Sequence, residues 1–237
     1  MKRLVLVAVA AAGLVLPSAA WANHSWNGYH WARTANPFTL KLGDNVSSTW
    51  DPYLATASSD WSRSTVLDTR VVAGQARGNC RPTSGRTEVC NRAYGNNGWL
   101  GLAQIWITSG NHIVQGVAKM NDTYFSTPTY NTAPWHRLVM CQEVAHTFGL
   151  AHQDENFSNP NLGSCMDYTS DPDGPPSNEH PNTHDYNQLV TIYSHTDSFS
   201  TIGAAAPLGS STFVKDLGHG RAVVTHVVWA SPFAIFF

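Results

Sequence analysis

Apolar and polar residues alternate from Phe38 to Leu42, a period of two that predicts a strand, and Gly43-Asp44-Asn45 behind it reads as a turn. Ser48 or Thr49 then offers a cap for a helix reaching about Ser62, and Val66 to Val72 predicts a second strand. Cys80 and Cys90 bracket a polar stretch rich in Gly, Pro, Ser and Thr, which reads as a loop. Trp99 to Ile107 and His112 to Met120 are β-rich runs separated by Ser109-Gly110-Asn111, a hairpin or a pair of adjacent strands. Pro134 suits the first turn of a helix in which Leu138, Cys141, Ala145 and Phe148 recur at helical spacing until Gly149 stops it. Residues from Asp154 to Pro181 form a turn-rich loop, and a last helix from about Thr183 to His195 places Tyr186, Leu189, Val190 and Tyr193 on one face. Beyond Ser198 only Arg221 to Trp229 is β-like. No period of repetition divides the chain.

The amino terminus changes the picture first. Lys2 and Arg3 precede an apolar run from Leu4 to Leu16, and Ala20-Trp21-Ala22 supplies the small residues of a cleavage site, so residues 1–22 read as a signal peptide and Asn23 as the mature start. The run falls short of the roughly 20 apolar residues that a membrane span needs. Secretion, to the periplasm or the exterior, follows, with no membrane association after cleavage. Loss of the leader removes two positive charges from a chain whose formal charge is already -2, and only 13% of residues are charged, so nucleic acid is not an expected partner. The remaining length fits one domain, residues 23–197, followed by a tail, 198–237, and a monomer is expected.

Four cysteines in an exported chain favour two disulfides over metal thiolates. The bracketed loop pairs Cys80 with Cys90, which leaves Cys141 for Cys165; four cysteines allow three pairings, and the other two stay open at this point.

The chemistry is concentrated in Cys141-Gln142-Glu143-Val144-Ala145-His146-Thr147-Phe148-Gly149-Leu150-Ala151-His152. Gln142 and His146 are four apart and share a helix face, with Glu143 beside them. Gly149 can take the left-handed conformation that ends the helix and lets the chain bring His152 back to the same point. Three ligands around an open position are what a catalytic zinc requires.

This run resembles the zinc signature of the metzincin metalloproteases, matching it at Glu143, His146, Gly149 and His152 and departing from it at Gln142, where the signature carries its first histidine. Met166, fourteen residues after His152, lies in Ser164-Cys165-Met166-Asp167-Tyr168, which is similar to the metzincin Met-turn. Tyr168 matches the position of a tyrosine that in astacins and serralysins binds the metal or steadies the tetrahedral intermediate. The resemblance extends over about residues 37 to 196. It implies an α+β metzincin-like zincin domain with a mixed twisted sheet, an active-site helix, a Met-turn and a C-terminal helix. It also implies a zinc endopeptidase with Gln142, His146 and His152 on the metal, Glu143 as general base, Tyr168 as a catalytic partner and Met166 beneath the site. Leu102 to Trp106 looks like the matrixin edge strand along which a polypeptide substrate would be bound, and Asp185 like a position in the matrixin closing helix. No match to the second, structural zinc cluster of matrixins is found.

Gln142 is the departure that matters, since a carboxamide oxygen binds zinc less tightly than imidazole. His136, His180 and His184 are the other histidines near the run, and all three read as surface residues. Asp154, Glu155, Asp167, Asp171 and Asp173 bring oxygen atoms into one loop, a candidate set for calcium without the spacing of an EF-hand. Two functions of different class follow: a secreted zinc endopeptidase, or a metzincin-shaped peptide-binding module whose catalysis the Gln142 change has weakened.

Overall fold

Strand pairing builds the molecule around one mixed sheet. The computed structural model describes residues 23–108, 110–201, 212–218 and 221–229; the expected leader, 1–22, lies outside the described residues. In chain order the elements are β1 (His30–Trp31), β2 (Phe38–Asn45), α1 (Asp51–Trp61), β3 (Leu67–Ala73), β4 (Thr87–Arg92), β5 (Trp99–Thr108), β6 (His112–Asn121), α2 (Asp122–Phe125), α3 (Ala133–His146), α4 (Thr183–Ile192), β7 (Thr212–Gly218) and β8 (Arg221–Trp229). The strand order is β3-β2-β4-β6-β5-β8-β7, with β1 joined to β6. β1, β2, β3, β4 and β6 run parallel, whereas β5, β8 and β7 pair antiparallel.

Several elements differ from expectation, each for a local reason. β2 runs through Gly43 to Asn45 instead of turning there, and Gly43 pairs with both Val72 and Glu88. Its lack of a side chain serves close approach: a Cβ would lie 2.1 Å from Arg86 Nη2 and 2.2 Å from Glu88 Oε2. Those two residues form a buried ion pair at 2.9 Å. β4 occupies the second half of the stretch expected to be a loop; it is central, and its buried Thr87 and Glu88 break the apolar run that would have marked a central strand. α1 starts from Trp50 without a side-chain cap, with Pro52 in its first turn, so neither Ser48 nor Thr49 plays the capping role. α4 stops at Ile192, short of His195.

The helices pack where the site is built. Leu54, Ala57, Ser58 and Trp61 give α1 one buried face at helical spacing. α3 is buried on all sides from Leu138 to His146, because it lies between α1 and the β5–β6 pair. Trp61 Nε1 donates to the Cys141 carbonyl at 3.2 Å and fixes α1 against it. The main core joins Leu40, Leu42, Leu100, Ile105, Ile113 and Met120 of the sheet to these helices. Disulfides join Cys80 to Cys90 and Cys141 to Cys165. The first packs with Val117 in a separate small cluster, and the second belongs to the main core. Among the described residues no helix is long and apolar enough to cross a membrane.

The tail contributes two strands. β8 pairs with β5 from Trp99↔Trp229 to Ile107↔Ala222, and β7 continues the sheet outward. The strand expected at the free edge therefore has a partner on both sides, since the tail folds back along it.

Candidate metal centre and active site

α3 ends in a turn that has two tasks. Gly149 has φ +98°, and a Cβ there would lie 1.9 Å from the Tyr29 carbonyl oxygen, so both the turn and the neighbouring segment demand glycine. The amino-terminal segment docks on this turn, with Trp26 N donating to Gly149 O at 2.8 Å and Ala151 N to His24 O at 2.6 Å. The helix-end carbonyls are also satisfied: Trp31 Nε1 donates to Thr147 O at 2.9 Å, and the Tyr193 hydroxyl to Phe148 O at 2.9 Å. Held in this way, the turn returns His152 to His146.

The two imidazoles meet with Nε2 atoms 3.1 Å apart and rings nearly perpendicular. His146 Nδ1 lies 2.8 Å from the Leu150 carbonyl and His152 Nδ1 2.8 Å from Glu155 Oε1. A carbonyl and a carboxylate only accept, so each Nδ1 carries the proton and each Nε2 presents a lone pair to the other. A proton shared between them is disfavoured at neutral pH: burial pushes His146 down to about 4. Burial, and then the neighbouring His146, hold His152 well below its usual value. Two converging lone pairs on buried neutral imidazoles, each oriented by an acceptor behind it, suit a divalent metal.

Gln142 and Glu143 lie on the same helix as His146. Gln142 is 1% exposed, and neither of its carboxamide atoms is hydrogen-bonded among the described residues. Glu143 is fully buried with both oxygens likewise unbonded, and burial raises its pKa well above the carboxylate range. It packs under β5 at Gly101, where a Cβ would come within 2.3 Å of Glu143 Oε1. Only glycine leaves room for this carboxyl group. A buried polar pair without partners costs stability, which marks the positions as functional candidates.

The segment carrying Met166 and Tyr168 is laced to the same turn. Gln153 N donates to Met166 O at 2.6 Å and Tyr168 N to Asp154 O at 3.1 Å. The Tyr168 ring thereby stands 4.3 Å from the His152 ring, and Met166 is fully buried. From the other side, Ser164 Oγ donates to Asp185 Oδ2 at 2.7 Å while accepting from Met166 N at 2.9 Å. Asp185 also completes the capping box of α4 with Asn182. The Cys141–Cys165 disulfide ties the base of this turn to α3 beside Gln142.

The remaining candidates fall elsewhere. His136 is buried, contrary to the surface position expected of it, in a cage of Trp50, Tyr53 and Phe125. His180 is exposed and bonded to Asp60 at 2.6 Å. His184 stacks on His24 with ring centroids 4.8 Å apart. Among the loop carboxylates, Asp154 accepts from Asn156 N and Asn159 Nδ2, and Asp167 from Leu162 N and Asn178 Nδ2, so both pin the loop itself. Two groups of side chains close enough to share a metal do occur among the described residues: His24, His184 and Asp185, and His30, His112 and Asp197. Neither was legible in the sequence, because their members come from separate segments.

No family model and no curated protein matches the chain. Among solved structures it is similar to one described as the structure of myroilysin, with a TM-score of 0.43 and 10% identity over 73% of this chain and 98% of that one.

Proposed function

We propose that the chain is a secreted zinc-dependent endopeptidase of metzincin type, with zinc held by His146, His152 and Gln142 and with Glu143 as general base. The observation that carries this reading is the pair of imidazole Nε2 atoms 3.1 Å apart, each backed by an acceptor at Nδ1. Buried Glu143 and Gln142, neither hydrogen-bonded among the described residues, lie on the same helix as His146 and support the reading. A bound zinc supplies two things, polarisation of a peptide carbonyl and activation of a water molecule at neutral pH. Glu143 takes the proton of the attacking water and passes it to the leaving amine. Tyr168, whose ring lies against His152, would donate a hydrogen bond from its hydroxyl to the developing oxyanion. Met166 acts as the Met-turn methionine, a packed floor that fixes the height of the site. Calcium has no assigned role in this reading.

An extended polypeptide would add to β5 by main-chain hydrogen bonds. β8 lies in that position, antiparallel, with Val228 in register with Gly101, the residue that covers Glu143. Glu143 and His146 have no exposed surface. The hairpin formed by β7 and β8 is therefore the element that must leave before a substrate binds, and the isolated chain is latent until it does.

The test is zinc content together with cleavage of an unstructured protein, with and without a chelator. Zinc lost in a His146→Ala, His152→Ala double variant, and cleavage abolished both there and by chelation, are expected. Peptide binding with no cleavage, even after removal of the hairpin, would move the assignment to the second reading, a binding module in which Gln142 has disabled catalysis.

A further inference from the structure

A second constellation lies apart from the proposed catalytic residues. His30 opens β1, His112 opens β6, and the two are register partners across that parallel pair. His195 and Asp197 come from the segment after α4. Their polar atoms converge. His30 Nε2 is 3.1 Å from His195 Nε2, His112 Nε2 is 3.1 Å from Asp197 Oδ1, and Asp197 Oδ1 is 3.8 Å from His30 Nε2 and 3.7 Å from His195 Nε2. Zinc–ligand bonds of about 2.0–2.1 Å in a tetrahedral site place neighbouring ligand atoms roughly 3.3 Å apart. These four spacings bracket that value, and His30, His112 and Asp197 each offer a ligand atom within 4.8 Å of the other two.

The groups behind the cluster orient it. His30 Nδ1 lies 2.7 Å from the Gly28 carbonyl, which can only accept, so His30 Nε2 is a lone pair aimed at the cluster. Asp197 turns one oxygen to the histidines, while the other receives Arg33 Nη1 at 2.9 Å and the Arg33 backbone N–H at 3.2 Å. Arg33 is itself locked by donating to the Tyr193 carbonyl at 3.0 Å. Outer contacts of this kind, a carbonyl behind an imidazole and a cation behind a carboxylate, hold metal ligands in place. His30 and the Asp197 carboxylate are nearly buried, His112 is only slightly accessible, and His195 closes the set from the solvent side.

We propose that His30, His112 and Asp197 hold a second zinc ion, structural in kind, with His195 Nε2 joining them from the solvent side as the fourth ligand. It would tie the short β1, the start of β6 and the segment leaving α4 to one point. Three imidazoles and one carboxylate favour zinc over calcium or magnesium, which prefer oxygen-rich sets. Without metal the same groups satisfy one another, with the Nε2 protons of His112 and His195 donated to Asp197 and His30. That hydrogen-bond network is the competing arrangement.

The experiment separates the two centres by measuring zinc per chain on the intact mature protein after removal of excess metal. The variants are His146→Ala with His152→Ala, which leaves only the new site, and His112→Ala with His195→Ala, which leaves only the catalytic one. About two zinc atoms are expected in the parent and about one in each double variant. The His146→Ala, His152→Ala protein loaded with cobalt(II) should also show the visible absorption of a tetrahedral ion, and the exposed single change His195→Ala should weaken it. If the protein lacking His146 and His152 takes up no zinc and shows no cobalt spectrum, the proposal is overturned and the cluster is a hydrogen-bond network only. If the parent binds one zinc that survives loss of His146 and His152 but not of His112 and His195, the second site stands and the peptidase reading falls.

Discussion

Replacing Glu143 with leucine should make the metal-free protein more stable while removing its activity. The carboxyl group is fully buried, makes no hydrogen bond among the described residues and lies beneath Gly101 of β5. An unsatisfied buried polar group costs about 1–3 kcal/mol, and an apolar side chain of similar size removes that cost. We expect a gain of about 2 kcal/mol in chelated Glu143→Leu. At the ~2–4 °C per kcal/mol typical of domains this long, the thermal midpoint should rise by about 4–8 °C. Glu143→Gln keeps a polar group in the same place and should gain much less. Both variants should lose hydrolysis of an unstructured protein by about 10²–10⁴-fold, the usual worth of a general base. Calorimetry and urea unfolding of the chelated proteins give the first quantity, and fluorescent-casein cleavage with zinc gives the second. A leucine variant less stable than the parent by 1 kcal/mol or so would show that the carboxyl group is satisfied in solution. Undiminished cleavage in either variant would refute its role as base.

Gln142→His should raise zinc affinity by about tenfold or more, read from chelator competition, because imidazole replaces a carboxamide oxygen; unchanged affinity would show that position 142 does not touch the metal. Truncation after Thr201 removes the hairpin from β5, and if the closed state is favoured by only ~1.4 kcal/mol, cleavage should rise about tenfold. Equal activity of the full and truncated proteins would mean that substrate reaches the site another way. His136, caged by aromatic rings, has its pKa lowered by burial. The unfolded chain therefore binds its proton more readily, and this residue's contribution to stability is complete above about pH 6.5 and lost as the pH falls below it. His136→Phe should flatten the slope of unfolding free energy between pH 7 and pH 5, and an unaltered slope would count against the neutral buried imidazole.

The parts that sequence reveals are those whose logic is local. The spacing of Gln142, His146, Gly149 and His152 carries its geometry with it, because a helix puts residues four apart on one face and a glycine at φ +98° turns the chain back. The Asp154 to Pro181 loop, the two long strands β5 and β6 and the Cys80–Cys90 pair are likewise local, whereas Cys141–Cys165, 24 residues apart, follows only by elimination. β4 was hidden because a central strand flanked on both sides need not alternate, and here Thr87 and Glu88 interrupt the apolar run. His136 looked like a surface residue because nothing next to it in sequence announces the cage formed by Trp50, Tyr53 and Phe125.

Tertiary structure alone decided the rest. That β8 lies along β5 depends on a pairing between residues more than a hundred positions apart, for which no periodicity exists. Gly101 reads as an ordinary strand residue until Glu143 is found beneath it. His30, His112, His195 and Asp197 come from three segments and meet only because β1 pairs with β6 and the chain after α4 returns to Arg33. The sequence determined the candidate chemistry of the α3 motif, since a helix encodes neighbours by spacing. The fold determined what covers that chemistry and which distant side chains converge, since sheet order and long-range packing are properties of the whole chain.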